Sequence, residues 1–245
     1  MNALKSILVA IVLAISSSFY AQTADEIINN YFENTGGKEN WEKLEGITMK
    51  GVMKMQGKEI PFEQVMMKDG RQVTTIELQG NKIVWAAYDG EISWSRNQMT
   101  MEAEKNDIET TENIKKQIKD WPSPFLNYKE KGYTVELVGN ETINGTDTFK
   151  IKVIKKPITI NGESQPNISH YYFDTENFTP IIIEEEIQDG PMKGQKIKMF
   201  ISNYQKVENL YFPFSQSSEF QSMDFKEFHL NPEVEKTLFS FPEGK

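Results

Sequence analysis

The side chains able to do chemistry are few and scattered. There are two histidines, His170 and His229, each alone in a strand-like segment, and no cysteine. Without cysteine there is no thiol nucleophile, zinc–thiolate site, iron–sulfur cluster, disulfide or lipid-modified N-terminal Cys. HExxH, GxSxG, GxGxxG and Walker patterns are all absent. The nearest to a phosphate loop runs from Gly190 through Gly194 to Lys196, but its spacing is wrong and it lacks the Lys-Ser/Thr pair. It suits a hairpin loop better. Glu184, Glu185 and Glu186 follow three isoleucines. On a strand, Glu184 and Glu186 share a face about 7 Å apart. Paired carboxylates of that kind can flank a sugar. A solvated strand face in a chain with 36 acids gives the same pattern. A serine triad assembles in three dimensions, yet two histidines and no nucleophile elbow argue against one. No catalytic residue, metal or cofactor is assigned.

The methionines and tryptophans carry a clearer signal. Seven of the 11 methionines lie between Met49 and Met101. Met49, Met53 and Met55 alternate with polar neighbours and so share one strand face; Met66 and Met67 fall on the next strand, Met99 and Met101 further on. Trp85 and Trp94 stand on neighbouring hairpin strands. Thioethers are flexible and polarizable, and they line surfaces that accept variable apolar shapes such as an acyl chain. With Ile114 and Ile118 from a nearby helical segment, Met49, Met53, Met55, Trp85 and Trp94 form a candidate ligand-binding set. Two other uses of the methionines stay open. One is an ordinary core with Met as gap filler. The other is a soft Cu(I) site at Met53-x-Met55 or Met99-x-Met101, although no histidine lies in either segment.

Composition narrows the class. The chain has 245 residues, 38% hydrophobic and 11% aromatic, which suits a packed core and not a disordered or coiled-coil chain. Its net charge is −9, the wrong sign for a nucleic-acid binder. Lys5, the apolar run 7–15 and the small residues up to Ala21 have the n-, h- and c-regions of a secretory signal. The run of nine apolar residues is too short to span a bilayer comfortably. The expectation is cleavage near Ala21 and a periplasmic chain of one domain over 22–245. Asn-x-Ser/Thr triplets at Asn140, Asn144, Asn167 and Asn177 are taken as turn residues.

The elements that must position these residues are mostly strands. Thr23 and Glu26 form a capping box, followed by Ile27, Ile28, Tyr31 and Phe32 at helical spacing and by Gly36-Gly37 as a stop. Residues 38–44 read as a short second helical piece with Trp41 and Leu44 inward. From Gly46 the period becomes two, and Gly57, Asp69-Gly70, Gly80-Asn81 and Asp89-Gly90 divide the chain into an antiparallel meander. Asn106 or Asp107 caps a helix running to about Trp121, with Ile108, Ile114 and Ile118 apolar. Strands resume from Tyr133 to about Leu230, and 156–166 is the most loop-like stretch. The spacing predicts a mainly β (α+β) fold: a half-open curved antiparallel sheet or barrel of about a dozen strands, with an N-terminal helix and an inserted helix over its open side.

Several segments then resemble a known family. They are YFENTGGKENWEKLEGITMKG, GYTVELVGNETINGTDTFKIKV, the YYFD strand and ISNYQKVENLYFPFS. The chain is similar to LolA-like proteins, and more closely to the Bacteroidota group of outer-membrane lipoprotein-sorting proteins. The resemblance covers nearly all residues after Ala21. It implies a half-open barrel that holds acyl chains in an apolar cavity, an apolar ligand as partner, and a membrane receptor protein as a second one. Only Arg71 and Arg96 are arginines, and neither falls in a matching motif. The leading function is therefore a periplasmic, non-catalytic carrier for lipoprotein acyl chains, lipid or another apolar ligand. The alternative is an accessory or protein-interaction domain with a filled core; a hydrolase comes third.

Overall fold

The computed structural model describes residues 22–242, so the expected signal segment lies outside the described residues. Helix α1 (Ala24–Asn34) begins at the predicted capping box: the Glu26 amide donates to Thr23 Oγ1, and the Thr23 amide donates to Glu26 Oε2 at 2.7 Å. Its inner stripe is Ile27, Ile28, Tyr31 and Phe32, all buried. A short α2 (Lys38–Glu42) follows, burying Trp41. Gly36 joins the two at φ +114°, where a Cβ would lie 2.0 Å from the Asn209 carbonyl oxygen. Only glycine lets this turn pass so close to the sheet.

Thirteen strands form one antiparallel sheet. The first meander is β1 (Gly46–Met55), β2 (Lys58–Met67), β3 (Gln72–Leu78), β4 (Asn81–Tyr88), β5 (Ser93–Arg96) and β6 (Ala103–Lys105). The second is β7 (Thr134–Ile143), β8 (Thr146–Ile160), β9 (Glu163–Asp174), β10 (Pro180–Glu186), β11 (Lys196–Val207), β12 (Leu210–Ser217) and β13 (Gln221–Leu230). Within each meander neighbours in sequence pair. The two are seamed by β1 against β13, with Met49 opposite Phe228 and Met53 opposite Met223. The outermost strands are therefore β6 and β7, which are consecutive in sequence. The chain between them has to cross from one rim of the sheet to the other.

That crossing, residues 106–133, is the strap over the concave side. Helix α3 (Ile108–Gln117) is capped by Asp107, whose side chain accepts from the Thr110 amide, and a 3-10 turn (Ile118–Asp120) extends it. At the β8–β9 rim the Glu109 carboxylate accepts from the Asn161 and Gly162 amides, and Asn113 bonds both backbone groups of Thr159. At the other rim Asn106 bonds Ser93 and Ser95 of β5. The stretch 156–166, expected as a loop, is instead the tip of the long β8–β9 hairpin. Pro157 is tolerated there because the register shifts between Lys155 and Ile158, and Asn161-Gly162 both adopt positive φ to make the turn. Ile108, expected on the apolar side of α3, is 84% exposed.

The alternation of each strand divides its side chains between two apolar clusters. The larger joins α1, α2 and residues 125–126 to the concave face, and includes Ile47, Phe149, Ile151, Phe173 and Phe228. The smaller lies on the opposite face of the first meander, where Val65, Val73, Ala87 and Trp94 form a cross-strand row covered by Phe239.

Candidate functional site

The concave face is filled at one end and open at the other. Under α1, Ile27, Phe32, Ile151 and Phe173 are at most 2% exposed. Beside this packed block lies a cavity of about 510 Å³. Its floor comes from neighbouring strands: Met49 of β1, Met66 of β2, Ile183 of β10, Ile201 of β11, Phe212 of β12, and Phe225 with Phe228 of β13. Its roof is Tyr31, Trp41, Leu44 and the strap residues 121–125. The rings form a chain of contacts, with Trp41 to Phe212 and Phe212 to Phe228 both at 5.1 Å, and Phe228 to Phe225 at 5.3 Å. The volume falls within the usual range of small-molecule sites.

The strap's residues make this roof irregular. Trp121-Pro122 is a cis peptide, and Pro122 and Pro124 keep the chain from continuing α3. Side chains then supply the hydrogen bonds a helix would have made. Lys131 Nζ donates to the Ser123 carbonyl at 2.7 Å and to the Trp121 carbonyl at 3.2 Å. Asp120 accepts from Tyr133 Oη at 2.8 Å and from Lys155 Nζ at 2.9 Å. Asp25 of α1 accepts from Tyr128 and Lys129, which hold its carboxyl below the usual range.

A second, more polar space of about 660 Å³ opens beside the cavity. The two share Trp41, Leu44, Trp121 and Pro122 in their walls. Lys68, Lys115, Lys119 and Lys131 border this vestibule together with the carboxylates of Glu42, Asp69 and Glu130, and with Ile118 and Gly70. Burial lowers the Lys131 ammonium to a pKa of about 8, with Asp120 opposing that shift.

The candidate residues named from sequence scatter around these spaces. Met49 lines the cavity. Met53 shares its strand face but lies further along β1, half-buried, and Met55 at the strand end is 39% exposed. The cover stops before the strand does. Trp94 is buried on the opposite face of the sheet, its indole donating to the Phe239 carbonyl at 3.2 Å. Trp85 sits at a register irregularity of the β3–β4 pair and belongs to neither apolar cluster. The expected convergence of both tryptophans with Met49 therefore does not occur. Ile114 faces a smaller space of about 130 Å³ over Gln72, Tyr88 and Ser93, and Ile118 borders the vestibule. The aromatic wall of Phe212, Phe225 and Phe228 went unassigned, although its spacing in the late strands was a usable signal.

The other chemical candidates are also placed. His229 is exposed and 3.2 Å from Glu227. His170 pairs across strands with Lys152 and Glu184, and burial with Lys150 nearby keeps its ring below the usual pKa. Glu184 does not lie on a solvated face: its side chain is 5% exposed and is met by Lys196 at 2.8 Å and Lys198 at 3.6 Å. Burial alone would raise its carboxyl, but the surrounding lysines outweigh that and lower it. Among the described residues no three His, Asp or Glu side chains converge as a metal set.

No protein-family model matches the sequence. No curated protein matches it either. Solved structures do. The chain is similar to a LolA superfamily protein from Nitrosomonas europaea, with a TM-score of 0.55 and 13% identity over 90% of this chain and 98% of that one. It is similar to a DUF1329 family protein from Desulfovibrio piger, with a TM-score of 0.54 and 14% identity over 89% and 97%. A structure described as an outer-membrane lipoprotein-sorting protein domain from Vibrio parahaemolyticus gives 0.51 and 12% over 87% and 94%. At these identities the likeness is one of fold, and the fold is LolA-like.

Proposed function

We propose that this chain is a carrier that shelters an acyl chain, from a lipoprotein, a lipid or another apolar molecule, inside the concave cavity. The observation that carries this is the space of about 510 Å³ left between the sheet and the strap and walled by Met49, Met66 and aromatic rings. Each methylene moved into it gains about 0.8 kcal/mol. Methionine walls adapt to the shape of whichever chain enters. Release then requires a membrane or receptor protein that offers the chain an equally apolar home. The LolA-like fold supports this reading, as do Lys5, the apolar run 7–15 and Ala21, which suit export to the periplasm. An interaction domain with a filled core is the less supported reading, because a space of about 510 Å³ stays open beside the packed residues under α1.

The test is native mass spectrometry of the exported, purified full chain, followed by organic extraction. We expect an N-terminus near Gln22, an apolar adduct removed by extraction, and uptake of N-phenyl-1-naphthylamine by the stripped protein. A chain that carries no adduct and takes up no probe would falsify the carrier reading.

A further inference from the structure

The shape and charge of the same site narrow what it would carry. A space of about 510 Å³ is on the scale of one long acyl chain, and the packed aromatic block under α1 closes it in that direction. Among the described residues a second large space, the vestibule, shares this wall and is bordered by four lysines and by Glu42, Asp69 and Glu130.

Of the seven charged side chains that border the vestibule, four have partners, Glu42 with Lys38 at 3.7 Å among them. Lys68 pairs with Glu45 and Lys115 with Glu112, both at 2.7 Å, and Asp69 pairs with Arg71 at 2.8 Å. Lys119, Glu130 and Lys131 have no ion-pair partner among the described residues, and of the three Lys131 is the one held in place by side-chain hydrogen bonds. Its two bonds go to the carbonyls of Trp121 and Ser123, and an ammonium has three donors. The charge of Asp120 offsets part of the burial cost at Lys131, but its carboxylate is bonded to Tyr133 and Lys155 and not to this ammonium. The Trp121 indole N–H, in the wall shared by both spaces, is also buried without a partner. A desolvated ammonium lacking an anion is costly, and an anion supplied from outside would relieve that cost.

We propose that the site selects single-chain amphiphiles with an anionic head, the tail in the apolar cavity and the head at Lys131. This rests on the carrier reading and adds the class of ligand. A carboxylate or a phosphate satisfies the same donor.

The test is displacement of N-phenyl-1-naphthylamine from the full chain by four competitors: palmitate, palmitoyl-lysophosphatidylglycerol, hexadecanol and dipalmitoyl-phosphatidylglycerol. We expect one or both single-chain anions to displace the probe at least about tenfold better than the alcohol and the two-chain lipid. Which anion ranks higher identifies the source of the head. Lys131→Met should bring the anions down to the alcohol's level, and Lys131→Arg should keep the preference, with folding checked by circular dichroism. A probe that binds while acid and alcohol compete equally would overturn the head assignment and leave the carrier reading standing. Equal displacement by the two-chain lipid would overturn the single-chain limit. Failure of the probe to bind at all would overturn both.

Discussion

The two ends of the concave face are lined with similar residues and reach different states. Under α1 the strands present Phe149, Ile151 and Phe173, and the helix answers with Ile27, Ile28 and Phe32, leaving those side chains nearly or wholly out of water. Under the strap the strands present Met49, Ile183, Phe225 and Phe228, and about 510 Å³ stays empty. The sheet is apolar at both ends, so the difference lies in the cover. A helix offers side chains at every turn along one stripe, and these interlock with a pleated face. The strap's Trp121-Pro122-Ser123-Pro124 has no such period, and its Trp121 and Ser123 carbonyls are held by Lys131 and not by a helix. Regularity of the cover decides whether an apolar face becomes core or container.

The sharpest way to break this comparison is to remove one ring from each end. Phe173 is fully buried and touches Phe125 at 5.2 Å, so Phe173→Ala should cost about 3–5 kcal/mol in urea unfolding. Phe225 already borders empty space, and Phe225→Ala should cost less than half as much. Equal losses would mean that the two ends are packed alike.

Alkaline pH tests the dryness of the covered interior. Burial pushes the Tyr31 phenol up to about 12, and lifts Tyr171 and Tyr204 well above their usual value. In the unfolded chain these phenols ionise near pH 10. Above that the folded state holds protons that the unfolded state has lost, so stability falls as pH rises. Each such phenol contributes a loss of about 1.4 kcal/mol per pH unit until it ionises in the fold. Lys131 acts oppositely: its folded pKa is about 8, so it favours the fold increasingly from pH 8 toward its unfolded value. Chemical denaturation from pH 7 to 11.5 should therefore show stability peaking near pH 10 and then dropping. A steady profile through pH 11 would show that the tyrosines are wet.

The smallest effect on stability is the most informative about the cavity. Met49→Trp should fill part of the empty end, lowering probe affinity about tenfold while stability changes by less than about 1 kcal/mol. The same enlargement at fully buried Ile151 should cost about 1–3 kcal/mol. Unchanged probe uptake by the Met49 variant would move the binding space elsewhere.

The local signals in the sequence were reliable. The Thr23–Glu26 capping box, the Gly-containing turns and the alternation of Met49 with Met53 all appear as read. What could not be read locally is which part of each face is covered. Trp94 has the same alternation as an inward residue, yet its row faces away and is sealed by Phe239, far along the chain. Glu184 looked solvated because the lysines that bury it sit on the next strand, at Lys196 and Lys198. The cavity wall itself needs Met49 beside Phe228, a pairing of the first strand with the last. No periodicity within one segment encodes that.

The β1–β13 seam has a kinetic consequence. Each meander is built from neighbours in sequence, whereas the seam joins residues nearly a whole chain apart, and such contacts close late because their loop entropy must be met first. Before the seam closes, two flat half-sheets present their apolar faces to solvent, and the container does not yet exist. A cargo molecule thus finds no home during folding. It acts only on the finished protein, where it lengthens the lifetime of the folded state and leaves the rate of reaching it unchanged.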